Sequence, residues 1–184
     1  VGTASLRRQA QTLHLRPDLN VELLRGRVET RLAKIESGAF DATYLALAGL
    51  TRLGLAHHAA GIVDPEAMPP APAQGALAIT ARAGDVDVLA RLRPLDIAEH
   101  NIATAAERAF LAALDGSCRT PIAALARIEG GTLRFIGEVL TPDGAHRWRR
   151  EGEGAATMAT GMALGAKLGG EIRAEAGPLY SAHF

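Results

Sequence analysis

The chain has 184 residues, 48% of them hydrophobic and 22% charged, with twenty basic and twenty acidic side chains and no formal net charge. That is enough apolar material for one or two cores, while the neutral balance and the 4% aromatic content argue against a nucleic-acid binder or a base-stacking platform. No apolar run is long enough to span a bilayer, no basic-then-apolar signal segment is seen, and a lone cysteine cannot close an internal disulfide, so a cytoplasmic setting is expected.

The sequence opens on VGTASLRR, which reads as the end of a strand entering a helix and as a piece of a longer protein. Ser5 is a suitable N-cap for a helix reaching about His14, with Leu6, Ala10 and Leu13 on one face. Arg16-Pro17-Asp18 ends it. A short strand is expected over residues 20–24. A second helix is expected over 29–37, with Leu32 and Ile35 inward and Gly38 as its stop. The continuous apolar run 42–48 reads as a strand covered on both faces. This alternation predicts a parallel sheet with right-handed crossovers.

Pro65, Pro69, Pro70 and Pro72 mark a hinge. A strand over 75–81 and a helix over 85–92 follow. Asp96 and Glu99 have the spacing of a capping box, opening a helix to about Leu114. Asp115-Gly116-Ser117-Cys118 leaves it in a small-residue turn. Antiparallel strands come next, among them 132–140 and 147–153, with Pro142-Asp143-Gly144 turning between them. An Ala/Gly-rich helix over about 155–176 closes the chain. The pattern predicts an α/β unit over the first half and a small α+β unit with an antiparallel sheet from about residue 96.

Lys34 and Lys167 are the only lysines, so nearly every cation is an arginine. Genome composition accounts for the number but not for the placement. Arg7 and Arg8 fall in the first turn of a helix, where cations are disfavoured and free backbone N–H groups already point outward. Two arginines beside those amides make an anion site, or else a solvated pair. Arg25 follows the second strand, Arg31 lies on the next helix and Arg52 follows the third strand. In parallel α/β units ligands sit beyond the C-terminal strand ends. Residues 1–52 hold seven Arg and one Lys against five acids; residues 53–99 hold three Arg against six. Such segregated guanidinium forks suit a ligand with several carboxylates. Asp41 is expected at the start of its strand, on the edge away from that ligand. Cys118, in a turn beside Arg119, is placed for thiolate chemistry or is an unreactive loop cysteine. No Cys/His spacing suggests a metal.

The segments VGTASLRRQAQ, RPDL, LLRGRVETRLAKIESGAFDA, LALAGLTRLGL, PAPAQGALAI and AAERAFLAALDGSCRTPIA, in this order, closely resemble the porphobilinogen deaminase (hydroxymethylbilane synthase) family. The resemblance is strong through residue 125 and looser beyond. It implies a transferase of tetrapyrrole and heme biosynthesis that condenses porphobilinogen units into a linear tetrapyrrole with release of ammonia. The units are built as polypyrrole intermediates on a dipyrromethane cofactor held by a thioether to Cys118. It implies that Ser5, Arg7, Arg8 and Arg25 contact the cofactor, that Arg7, Arg8, Arg31 and Arg52 bind substrate carboxylates, and that Gln74 and Gly75 form a hinge.

The resemblance further implies a periplasmic-binding-protein-like lobe over 1–75, a returning segment of the family's first domain over 76–95, and a cofactor-bearing α+β domain over 96–184. The family's catalytic aspartate falls in the N-terminal lobe, which is expected to be absent here and to be a needed partner. No nucleic acid or membrane partner is implied, and the complete enzyme is expected to be a monomer. Arg27, Pro72-Ala73 and Ser117 depart from the family pattern. The competing reading is a non-catalytic carboxylate-binding lobe of a receptor or regulatory domain.

Overall fold

The computed structural model describes residues 1–116 and 120–183. It is a mixed α/β structure, with a parallel and an antiparallel sheet. In the first unit, β1 (Gly2–Thr3) pairs in parallel with β2 (Glu22–Leu23), Gly2 opposite Glu22 and Thr3 opposite Leu23. Gly2 sits tightly here: a Cβ on it would lie 2.5 Å from the Leu24 side chain and 2.9 Å from Phe40.

Helix α1 (Leu6–Leu15) is capped by Ser5 as the sequence predicts, the hydroxyl accepting from the Arg8 N–H at 3.4 Å. Its inward face differs from the expected one. Ala10 is fully buried, but Leu6 is 40% exposed, and the other buried positions are Arg7, Gln11 and Thr12. Helix α2 (Val28–Glu36) follows as expected.

Two expected strands do not form. Over 42–48 only Thr43 makes a parallel bridge to Gly2, its hydroxyl donating to the Gly2 carbonyl at 2.8 Å. Helix α3 (Leu47–Arg52) starts inside that run. Leu and Ala dominate the run, and an apolar run of this length has no periodicity that separates strand from buried helix. Residues 75–81 carry an apolar pattern but pair with no strand among the described residues; Leu77 is 89% exposed and Ile79 55%. The parallel sheet is therefore two strands wide.

Helix α4 (Val86–Leu92) is capped by Asp85, which accepts from the Val88 N–H at 3.2 Å. The capping box at Asp96 is not made. Helix α5 (Ala98–Ala113) has Ile97 at its N-cap, and Asp96 instead accepts from the Asn101 amide at 2.6 Å.

The second unit is the meander β3 (Ile122–Glu129), β4 (Thr132–Leu140), β5 (Arg147–Ala155), antiparallel throughout. Gly130 and Gly131, with φ of 56° and 79°, form the two-residue loop between β3 and β4, which demands left-handed backbone at both positions. Helix α6 (Met158–His183) breaks at Gly177, φ 49°, immediately before Pro178.

One face of the meander packs on α5 and α6 through Phe110, Leu133, Phe135, Val139, Trp148 and Ile172. The other face is buried at the end of β4, where Glu138 and Leu140 are covered. There α1 approaches: His14 Nδ1 lies 3.0 Å from the Gly144 carbonyl, and a Cβ on Gly144 would fall 2.5 Å from the His14 backbone nitrogen. The two units thus share the β4–β5 end of the sheet.

Candidate functional site

A cleft of about 490 Å³ opens at the N-terminal end of α1. Arg7 and Arg8 from α1, Leu32 and Ile35 from α2, Tyr44 after the Thr43 bridge, and Gln74 from the proline-rich segment line it. Leu32 and Ile35, expected to face inward, supply part of its apolar wall.

Arg7 is only 8% exposed. Its NH1 donates to Gln11 Oε1 at 2.7 Å and to the Pro69 carbonyl at 2.8 Å; NH2 donates to Gln74 Oε1 at 3.2 Å. Its Nε–H is buried with no acceptor among the described residues. Its pKa is lowered to about 10, first by burial and then by the charge of the adjacent Arg8, with Glu138 opposing both. It remains charged at neutral pH. Arg8 donates from NH1 to the Tyr44 carbonyl at 2.9 Å. Its pKa is also lowered, first by burial and then by the charge of Arg31, with Tyr44 opposing. Two like charges held together in a part-dry cleft call for an anion.

The other expected site residues are dispersed. Ser5 caps α1. Arg31 donates from Nε to the Gly26 carbonyl at 2.9 Å and is close enough to be felt by Arg8. Arg25 and Arg52 are exposed and are not among the residues lining the cleft. Gln74 Oε1 also accepts from the Ala71 N–H at 3.3 Å, and Gly75 has φ 96°, preceded by Ala73 at φ 60°. The backbone on both sides of Gln74 is thus in the left-handed region. Cys118 lies outside the described residues.

Asp41 is a correction. It lines the same cleft as the two arginines, rather than the far edge. The cause is the missing strand: with only Thr43 bridged, residues 41–46 line the cleft instead of extending the sheet.

Sequence reasoning also missed three polar residues behind the cleft. Gln11 stands one helical turn from Arg7 and shares its face. Glu138, 2% exposed, accepts from Gln11 Nε2 at 2.6 Å and pairs with Arg147 Nε at 3.0 Å and Arg149 NH1 at 3.8 Å. Glu107 accepts from the Ala73 N–H at 2.6 Å and from the Ala126 N–H at 2.8 Å, joining the proline-rich segment to α5 and β3. Both carboxylates interrupt apolar runs in the sequence, which is a visible sign of a paired buried charge. Among the described residues no group of His, Cys, Asp and Glu could hold a metal, and no helix is long and apolar enough to cross a membrane.

Two family models match the chain. Residues 1–90 match the porphobilinogen deaminase dipyromethane cofactor binding domain, and residues 102–174 match the porphobilinogen deaminase C-terminal domain. Among curated relatives, the porphobilinogen deaminase of Caulobacter sp. (strain K31) is 54% identical over 97% of the chain and 57% of that protein. Those of Caulobacter vibrioides (strain NA1000 / CB15N) and Phenylobacterium zucineum (strain HLK1) are 54% and 52% identical, each over 96% of the chain and 56% and 57% of their own lengths. The chain thus spans less than three-fifths of these relatives, while nearly all of its own length matches them, with a paired-arginine cleft in the part described as binding the cofactor. The chain belongs to the porphobilinogen deaminase family.

Proposed function

We propose that these residues form the cofactor- and substrate-holding part of a transferase that joins porphobilinogen units head to tail into hydroxymethylbilane, releasing ammonia. The observation that carries the reading is the pair Arg7 and Arg8 on one cleft, with the buried Arg7 Nε–H lacking an acceptor. Guanidinium donors fit the carboxylates of a dipyrromethane and of porphobilinogen, and would hold them as charge-assisted pairs. When bound, the dipyrromethane supplies the pyrrole terminus to which units are added.

Within this reading Arg7 and Arg8 bind carboxylate and offset its charge. Ser5 fixes the helix start that aims them. Arg31, already coupled electrostatically to Arg8, extends the basic field, and Arg25 and Arg52 stand at its periphery. Gln74 and Gly75 form a hinge whose state is communicated to Arg7 through the Gln74 side chain. Cys118 attaches the cofactor by a thioether. Residues 1–75 act as one lobe, 96–184 as the cofactor-bearing domain, and 76–95 as a segment returning from a lobe supplied by the rest of a full-length protein. The exposure of Leu77, Ile79 and Val86 supports a partner surface for that segment.

The test is an intact-mass measurement on protein of the relatives' full length. Added mass of a dipyrromethane, localised to Cys118 and absent in Cys118→Ser together with turnover, is the expected result. Unmodified cysteine in active protein, or normal porphobilinogen consumption by Cys118→Ser, overturns it.

A further inference from the structure

Glu138 lies on β4 of the second unit, yet its Oε1 is turned away from its own sheet partners and toward α1 of the first. It takes the Nε2 donor of Gln11 at 2.6 Å, while Oε2 faces Arg147 and Arg149. Gln11 Nε2 also donates to the Pro69 carbonyl at 3.0 Å. Both partners of that amide nitrogen can only accept, so both of its protons are committed. Gln11 Oε1 is thereby left facing Arg7 NH1, at 2.7 Å. Turning the amide over would place its oxygen against a carboxylate and a carbonyl, and its NH2 against a guanidinium. The buried carboxylate on one unit therefore helps fix the acceptor that holds the guanidinium on the other.

Resting on the proposed carboxylate-binding role of the cleft, we propose that Glu138 is a positioning residue for Arg7. It acts through Gln11, so that the C-terminal sheet sets the aim of the arginine in the cleft. Arg147 and Arg149 are about one-fifth exposed and balance the Glu138 charge, which lets it accept from Gln11 without competing for Arg7 directly. The relay is short: three side chains joined by two hydrogen bonds and braced by a third from Gln11 to the Pro69 carbonyl, and Glu138, Gln11 and Arg7 are all buried.

The experiment compares Glu138→Met and Gln11→Met with wild type in full-length protein. Denaturant unfolding serves as the fold check, and each variant is also made in an Arg7→Lys background. The first readout is solvent exchange of the Arg7 side-chain N–H protons by NMR, which does not depend on turnover. Both variants should speed it about tenfold, the size expected for losing one hydrogen bond to a charged group. The second readout is porphobilinogen kinetics: KM should rise about tenfold with kcat within about twofold, and neither substitution should raise KM further once Arg7 is Lys.

Wild-type exchange and KM in folded Gln11→Met and Glu138→Met overturn the proposal. So do effects on KM that simply multiply with that of Arg7→Lys. If Glu138→Met does not fold, Gln11→Met decides, because it leaves the Glu138 ion pairs in place. If wild-type full-length protein consumes no porphobilinogen, the functional reading fails, and the exchange of Arg7 still decides the positioning role.

Discussion

Gly165 on α6 faces the carbonyl oxygen of Ala106 on α5 so closely that a Cβ on it would stand 2.1 Å from that oxygen and 3.1 Å from the Phe110 backbone nitrogen. Backbone cannot swing aside as a flexible side chain can. Gly165→Ala should therefore destabilise by at least about 1–3 kcal/mol despite the better helix propensity of Ala. Gly170, five residues along the same helix, has nothing within 4 Å, and Gly170→Ala should stabilise by about 0.5–1 kcal/mol. Denaturant midpoints of the two variants check both signs; equal shifts would mean that α5 and α6 are not packed this closely.

Glu107 provides the second prediction. Its two oxygens each accept one backbone N–H, from the half-buried Ala73 and from the buried Ala126. A glutamine offers only one acceptor and sets its NH2 against the other N–H, so Glu107→Gln should cost about 1–3 kcal/mol. Burial raises the Glu107 pKa above the ordinary carboxylate value, with the Ala73 and Ala126 N–H groups opposing. A carboxyl with a raised folded-state pKa contributes stability that is fully present below its unfolded value and lost as pH rises through the folded one. The gap between wild type and Glu107→Gln should accordingly be widest in acid and narrow as pH rises through that raised pKa. Urea unfolding across the acid range measures it, and a gap that widens with pH contradicts the sign.

Helices α1, α2 and α4 were legible because each carries a local marker, Ser5 before α1, Gly38 after α2 and Asp85 before α4, whereas α3 has no side-chain cap and its start was read as strand. Strands β4 and β5 were legible from the Pro142-Asp143-Gly144 turn between them. The strands over 42–48 and 75–81 were not, since a strand is completed by its neighbour. Thr43 finds only Gly2, and residues 75–81 find no neighbouring strand among the described residues. Arg7 and Arg8 could be read from their position in a helix first turn. Asp41 was misplaced by the strand error next to it. Gln11 and Glu138 lie 127 residues apart, and no local pattern signals that they meet.

Arg8 supplies the next test. Its NH1 is tied to the Tyr44 carbonyl, leaving the rest of the guanidinium to the cleft it lines. Lysine keeps the charge but not the planar fork. In full-length protein, Arg8→Lys should raise the KM for porphobilinogen or stall elongation by about tenfold or more while leaving the unfolding midpoint within about 0.5 kcal/mol of wild type. Wild-type kinetics at all substrate concentrations would return Arg8 to a surface role.

The last prediction concerns the chain by itself. Stabilising a cationic pyrrole calls for a carboxylate held against the ring nitrogens in a site that excludes water. Of the acids in the first unit, Asp41 lines the cleft, but it is exposed, where solvent weakens its field. Glu107 and Glu138 are buried, yet their oxygens are committed to backbone N–H groups, to Gln11 and to Arg147 and Arg149. The relatives are longer by more than two-fifths of their length, and Leu77, Ile79, Val86, Leu95 and Ile97 stand exposed on this chain. The 184 residues alone should therefore not consume porphobilinogen, and a polypeptide supplying the remaining portion of a relative should restore consumption. In the reconstituted protein Asp41→Asn should change turnover by no more than about twofold. Consumption by the isolated chain that disappears in Asp41→Asn would instead identify Asp41 as the carboxylate that faces the pyrrole.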